Sequence, residues 1–190
     1  MPVEVELKAR VDNPEEIKNK ILKFGPQSYT FEKEDVYWAF PNDTSARLRV
    51  RRERKINTRG KIKTTTLVTC KIKQIHEGIE INDEKELSVS SGEVFEEILT
   101  YLGMEPGIRK KKTGTAWKCR LKNGFPAILA ELSDVQHLGY FIELEILTDS
   151  RDEQTLAKNR KLLLDLLEKL DIPQNKLESR PYSELLMEKR

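Results

Sequence analysis

At 190 residues the chain has room for one domain with a sizeable core, and no compositional shift marks a second, so a single domain over residues 1–190 is expected. Charged residues make up 35%, against about a quarter in average soluble proteins, yet 34 Lys and Arg stand against 32 Asp and Glu, and a net charge of +2 argues against a general nucleic-acid surface. Cys70 and Cys119 are too few and too far apart for a zinc motif or a disulfide framework, and no apolar run approaches the roughly 18 residues of a membrane helix, so a soluble protein of the reducing cytoplasm is expected.

The first residues alternate: Val3, Val5 and Leu7 take one parity, and Glu4, Glu6 and Lys8 the other. Strand side chains repeat with period two, so the parity that buries valine and leucine stacks two carboxylates and an ammonium on the opposite face. Like charges set side by side belong on a solvated face, or around a divalent cation that wants hard oxygen ligands. After a strand over residues 2–12, Asn13-Pro14-Glu15-Glu16 supplies a cap, a first-turn proline and early acids for a helix with Ile17, Ile21, Leu22 and Phe24. Gly25-Pro26 stops it. Residues 34–40 and 45–53 read as a hairpin across Pro41-Asn42-Asp43, and residues 55–62, polar and basic around Gly60, read as a mobile loop.

Next come strand patterns over residues 64–73 and 79–89, turned by His76-Glu77-Gly78. Ser90-Ser91-Gly92-Glu93 opens a helix whose buried stripe is Val94, Phe95, Ile98, Leu99 and Leu102. Strands follow near 108–121, bent at Thr113-Gly114, then 126–132 and 139–147. A helix over about 151–170 carries Leu156, Leu163, Leu166, Leu167 and Leu170, and a short one lies near 182–188. Hairpins grouped between helices predict a mostly antiparallel α+β fold. Some eight strands can close on themselves, which removes exposed edges.

Charge follows parity almost everywhere: Arg10 after Lys8, then Arg47, Arg49 and Arg51, Lys71 and Lys73, Glu80, Glu84 and Glu86, Arg109 and Lys111, Lys118, Arg120 and Lys122, Glu143 and Glu145. For any one strand the commoner explanation is a solvated outer face. Across strands, however, basic triplets and acid pairs are segregated, whereas a solubilising face mixes signs. Turned inward, these faces would line a passage suited to a polyanion that travels with divalent metal, and triphosphate is the leading candidate. His76 and His137 read as surface turn residues, and Trp38 and Trp117 as packing.

The ordered set Glu4-x-Glu6-x-Lys8, Asp35-x-Tyr37, Arg47-Leu48-Arg49, Lys71-x-Lys73, Glu84-Lys85-Glu86, the run Arg109 to Lys112, and Leu138-Gly139-Tyr140-Phe141-Ile142-Glu143-Leu144-Glu145 resembles the CYTH superfamily, or triphosphate tunnel metalloenzymes. The G-x-F-x-E-x-E form of the last motif is closest to the class IV adenylate cyclase branch, and Tyr182 to Leu186 resembles the usual C-terminal segment. The resemblance implies an eight-stranded antiparallel closed β-barrel, a tunnel, with flanking helices. It implies Mg²⁺ or Mn²⁺ as cofactor and a small-molecule triphosphate as partner, without nucleic acid or membrane, in a monomer or homodimer. By carry-over Glu4, Glu6 and Lys8 are catalytic. Arg47, Arg49, Lys71, Lys73, Arg109 and Lys111 bind phosphate, with Arg51 a further member, and Glu4, Glu6, Glu84, Glu86, Glu143 and Glu145 bind metal. Lys110 and Lys112, on the other parity of their strand, leave a second register open there, and Ser133 stands where this branch usually has aspartate. The implied reaction is conversion of ATP to cyclic AMP and pyrophosphate. Hydrolysis of tripolyphosphate, thiamine triphosphate or a nucleoside triphosphate is the alternative, and a non-catalytic polyphosphate or nucleotide binder a third reading.

Overall fold

A computed structural model describes residues 3–41, 43–76 and 79–189, with the side chains of 43–47, 71–76 and 79–84 outside the description. Its elements run β1 (Val3–Arg10), α1 (Pro14–Ile21), β2 (Gln27–Phe40), β3 (Asp43–Asn57), β4 (Ile62–His76), β5 (Ile79–Val89), α2 (Gly92–Tyr101), β6 (Glu105–Cys119), β7 (Ile128–Val135), β8 (Gly139–Thr148), α3 (Glu153–Lys169), a 3₁₀ turn (Gln174–Lys176) and α4 (Tyr182–Met187). The eight strands pair antiparallel in the order β1-β5-β4-β3-β2-β6-β7-β8, as the α+β expectation required.

The expectation of a full cylinder needs correction at one seam. β1 meets β8 over its whole length, but among the described residues meets β5 through Glu4 with Asn82, Val5 with Ile81 and Glu6 with Glu80. β5 spends its length on β4, from Thr66–Val89 to His76–Ile79, and only its first residues reach β1. Hydrogen bonding therefore runs round the ring through a slight join, and the sheet is a curled, partly open barrel.

Two further expectations shift. The loop over residues 55–62 is instead the tip of a long hairpin: β3 and β4 pair out to Ile56 and Ile62, and Asn57 organises the turn by accepting from the backbone N–H groups of Arg59 and Lys61, both at 2.9 Å. Gly60 takes the positive φ of 77° that this turn needs. β6, meanwhile, keeps its ladders with β2 and β7 unbroken through Gly114. Glycine is required there by close approach, since a Cβ would lie 2.3 Å from the Leu132 carbonyl oxygen and 2.8 Å from Phe31 Cζ.

Outward faces hold the core. Val3, Val5, Leu7 and Ala9 of β1 pack with Ile142, Leu144 and Ile146 of β8 beneath Ile17 and Ile21 of α1 and Leu163, Leu166 and Leu167 of α3. Each large side chain so buried contributes about 1.5–3 kcal/mol. Asn13 caps α1 by accepting from Glu16 N–H, and Asp152 caps α3 by accepting from Thr155 N–H. Trp38, Val50 and Val68 pack under Leu99 of α2, and Trp117 joins the first cluster, so both tryptophans are packing residues. No helix among the described residues is long and apolar enough to cross a membrane.

Candidate functional site

With the apolar parity of β1 and β8 turned outward, their charged parity faces a central cavity of about 400 Å³. The mouth where β1 begins also holds the ends of β3, β5, β6 and β8; we call it the first mouth. At the second mouth, where β1 ends, α4 packs Tyr182, Leu185 and Leu186 against Ile108, Val135, Leu138 and Phe141. The segment before α4 is anchored there as well: Lys8 Nζ donates to the Arg180 carbonyl at 2.5 Å, and Arg10 pairs with Glu178 at 3.0 Å.

Of the expected site residues, Glu4, Glu6, Lys8, Arg49, Glu86, Glu143 and Glu145 line the cavity, as does Arg51. The side chains of Arg47, Lys71, Lys73 and Glu84 lie outside the described residues. Arg109 and Lys111 are corrections of placement. Both are exposed, Lys111 donates to Glu34 at 2.7 Å on the outside, and Lys110 and Lys112 occupy the cavity instead. Trp117 and Cys119 are buried in the outer core, so the odd parity of β6 faces outward and the even parity inward.

The cavity contains two electrostatic environments. In its middle, cations and carboxylates are matched. Asp35 accepts from Arg51 through both oxygens, at 2.7 and 2.9 Å, and pairs with Lys110 at 2.8 Å. Burial opposes its ionisation, but Arg51 and Lys110 hold its carboxyl well below the usual range. Lys33 reaches both Glu131 oxygens at 2.7 Å and Glu53 at 3.4 Å, while Lys112 joins Glu131 to Glu143. Burial brings Lys33 down to about 8 despite Glu131. It would raise Glu131, yet Lys33 and Lys112 beside that group bring it down to about 2. Arg49 donates to Thr69 at 3.0 Å, and Thr69 in turn donates to Glu86 at 3.0 Å.

Toward the first mouth, carboxylates of β1 and β8 come together. Glu6 is directly across from Glu145 on neighbouring strands, with Glu4 two residues along the same face. Burial, then the charges of Glu4 and Glu6, push the Glu145 carboxyl up to about 8. This crowding, in an all-oxygen donor set on one wall, fits a divalent cation in chemistry. No group of three His, Cys, Asp or Glu among the described residues is already drawn together as a cage, so the carboxylates would have to converge on an arriving ion.

Sequence reasoning missed Lys33, Glu53 and Glu131, and left Asp35 and Tyr182 as landmarks without a role. Tyr182 is buried at the second mouth, with the Lys8 and Lys110 ammoniums 4.3 and 4.8 Å from its ring centre. Phe31 closes over the middle network in the same way, with Lys33 4.5 Å from its ring centre.

The sequence profile of the CYTH domain matches residues 2–182. Among solved structures the chain is similar to the PH1819 protein of Pyrococcus horikoshii OT3, at 28% identity and a TM-score of 0.81, covering 98% of this chain and 99% of that one. It shares its fold with a candidate adenylate cyclase of Vibrio parahaemolyticus, at 21% identity and a TM-score of 0.76 over 97% of each chain. A candidate adenylyl cyclase from Hippeastrum, described as having a dominant triphosphatase activity, shares the fold at 12% identity and a TM-score of 0.61, over 95% of this chain and 91% of that one. No curated protein sequence matches.

Proposed function

The chain belongs to the CYTH domain family, and from that premise we propose that it is a divalent-metal-dependent enzyme that cleaves a triphosphate held inside the barrel. The observation that carries this reading is the juxtaposition in one cavity of guanidinium and ammonium groups with carboxylates of β1 and β8 that lie across from one another. Arg49, Arg51 and Lys110, with Lys8 beside them, would bind phosphate oxygens, the guanidinium forks offering two N–H groups to an anion at once. Arg47, Lys71 and Lys73 would extend that set. Glu4, Glu6 and Glu145 would hold Mg²⁺ or Mn²⁺, joined by Glu84, Glu86 or Glu143 as the ion and substrate settle. The ion would supply charge neutralisation and polarisation of a phosphoryl oxygen. Phosphoryl transfer asks little covalent chemistry of a protein, so the side chains act mainly by positioning and by charge fixed in advance.

Asp35 orients this machinery: by holding Arg51 and Lys110 together it sets two donors on one wall before the substrate arrives. The bond that breaks defines the reaction. Attack by the ribose 3′-hydroxyl on the α-phosphorus of ATP expels pyrophosphate and leaves cyclic AMP, the reaction of the branch that the Gly139 to Glu145 motif resembles. Attack by water on the terminal phosphorus releases orthophosphate, and this triphosphatase reaction is the alternative. The purified protein should be incubated with ATP, thiamine triphosphate and tripolyphosphate in turn, with Mg²⁺ or Mn²⁺, and cyclic AMP, pyrophosphate and orthophosphate resolved. Metal-dependent product from at least one substrate is expected. Saturable binding with no product would make the protein a binding module, and neither binding nor product would end the reading.

A further inference from the structure

We propose that the β3–β4 hairpin is an anion-collecting arm that draws the triphosphate to the first mouth; the proposal rests on the reading of the cavity just given. From Arg51 to Lys63 the chain carries seven cations and one carboxylate, in a protein whose net charge is +2. The cations nearest the barrel are committed to partners: Arg51 to Asp35, Arg52 to Glu96 and Glu93, and Lys55 to Glu53. Those farther out are not. Among the described residues, the side chains of Arg59, Lys61 and Lys63 are exposed and make no hydrogen bond or ion pair.

Register ties these free charges to the cavity. Arg49 lies across from Thr69, Arg51 from Leu67 and Lys55 from Lys63, and cross-strand partners share a face. Because Arg49, Arg51, Lys55, Leu67 and Thr69 line the cavity, Lys63 continues the same wall outward, and Arg59 and Lys61 complete it at the tip. The arm is ordered before any ligand arrives, since Asn57 binds two turn amides and the Asn57 N–H donates to the Lys61 carbonyl at 3.0 Å. It also stands where entry is possible. α4 and the anchored segment before it occupy the second mouth, while β3 ends and β4 begins at the first. A preorganised row of unpaired cations beside a charged cavity raises the local concentration of an anion and the rate of encounter, an effect that salt screens.

The test uses the full chain with Arg59→Gln, Lys61→Gln and Lys63→Gln combined, none of which touches the cavity, and inorganic tripolyphosphate as probe. Association is followed by stopped-flow fluorescence as ionic strength is raised, and kcat and kcat/KM are measured on whichever triphosphate is turned over. The variant should associate about tenfold more slowly at low salt, with a flatter salt dependence, an unchanged dissociation rate and unchanged kcat at saturation. Association and salt slope equal to those of the unaltered protein would overturn the arm while leaving the cavity reading intact. A variant that loses kcat but not association would also overturn it. Failure of the unaltered protein to bind tripolyphosphate at all would overturn both readings.

Discussion

In the middle of the cavity carboxyl groups are held below their ordinary range, whereas at the first mouth one is pushed above it. In the middle, Asp35 and Glu131 are held ionised by buried cations, and the cost of burying charge is offset by close pairing. At the mouth, Glu145 is pushed up to about 8 because burial and its neighbours Glu4 and Glu6 all oppose its charge. On the proposed reading, Asp35 and Glu131 fix the shape of the cavity and set Arg51 and Lys110 for phosphate, while the carboxylates around Glu145 are where a cation would settle.

The comparison is broken most severely at Asp35. Removing this carboxylate in Asp35→Ala leaves Arg51 and Lys110 buried without their partner, and urea denaturation should report a loss of about 3–5 kcal/mol. A loss below about 1 kcal/mol would mean that the matched network is not structural. The opposite behaviour is expected at the mouth. Glu145→Gln relieves repulsion, so stability without metal should hold or rise, while turnover on the active triphosphate falls about 10²–10³-fold. A destabilised but fully active Glu145→Gln protein would reverse the roles assigned to the two regions.

Acid sharpens the contrast further. Glu131 has a folded pKa of about 2 against an ordinary 4.5, so its stabilisation is complete above about 4.5 and is lost as pH falls toward 2. Denaturation of the protein and of Glu131→Gln at stepped pH should show the native slope flattened in the variant. Equal slopes would remove Glu131 from the account. The smallest effect belongs to the outside of β6. Lys111→Ala should leave both stability and activity unchanged, while Lys110→Ala should weaken triphosphate binding, and isothermal titration of the two variants distinguishes the registers.

Legibility in the sequence followed contrast between faces. β1 and β8 alternate apolar with charged residues, so their inward carboxylates could be read directly from Glu4, Glu6, Glu143 and Glu145. Between Arg109 and Lys112 every residue is basic and parity carries no signal; counting back by twos from Trp117 would have turned 109 and 111 outward. Lys33 lay before the point where β2 was expected to begin, and Glu131 stood alone among apolar residues in the strand expected over 126–132. The C-terminal cap on the second mouth is a contact between Tyr182 and residues more than forty positions away, which local pattern cannot reveal. The β1–β5 seam is equally long-range, a meeting of Glu4, Val5 and Glu6 with residues far along the chain.

The central claim is that the cavity receives a triphosphate and a divalent cation together, at different places along its axis. Crystals grown with Mn²⁺ and tripolyphosphate test it directly, because anomalous scattering locates the metal independently of the phosphates. The account predicts the manganese peak among Glu4, Glu6 and Glu145, with the phosphate chain against Arg49, Arg51 and Lys110. Metal and phosphate found only on the outer surface, with the cavity lined as before and unoccupied, would contradict it.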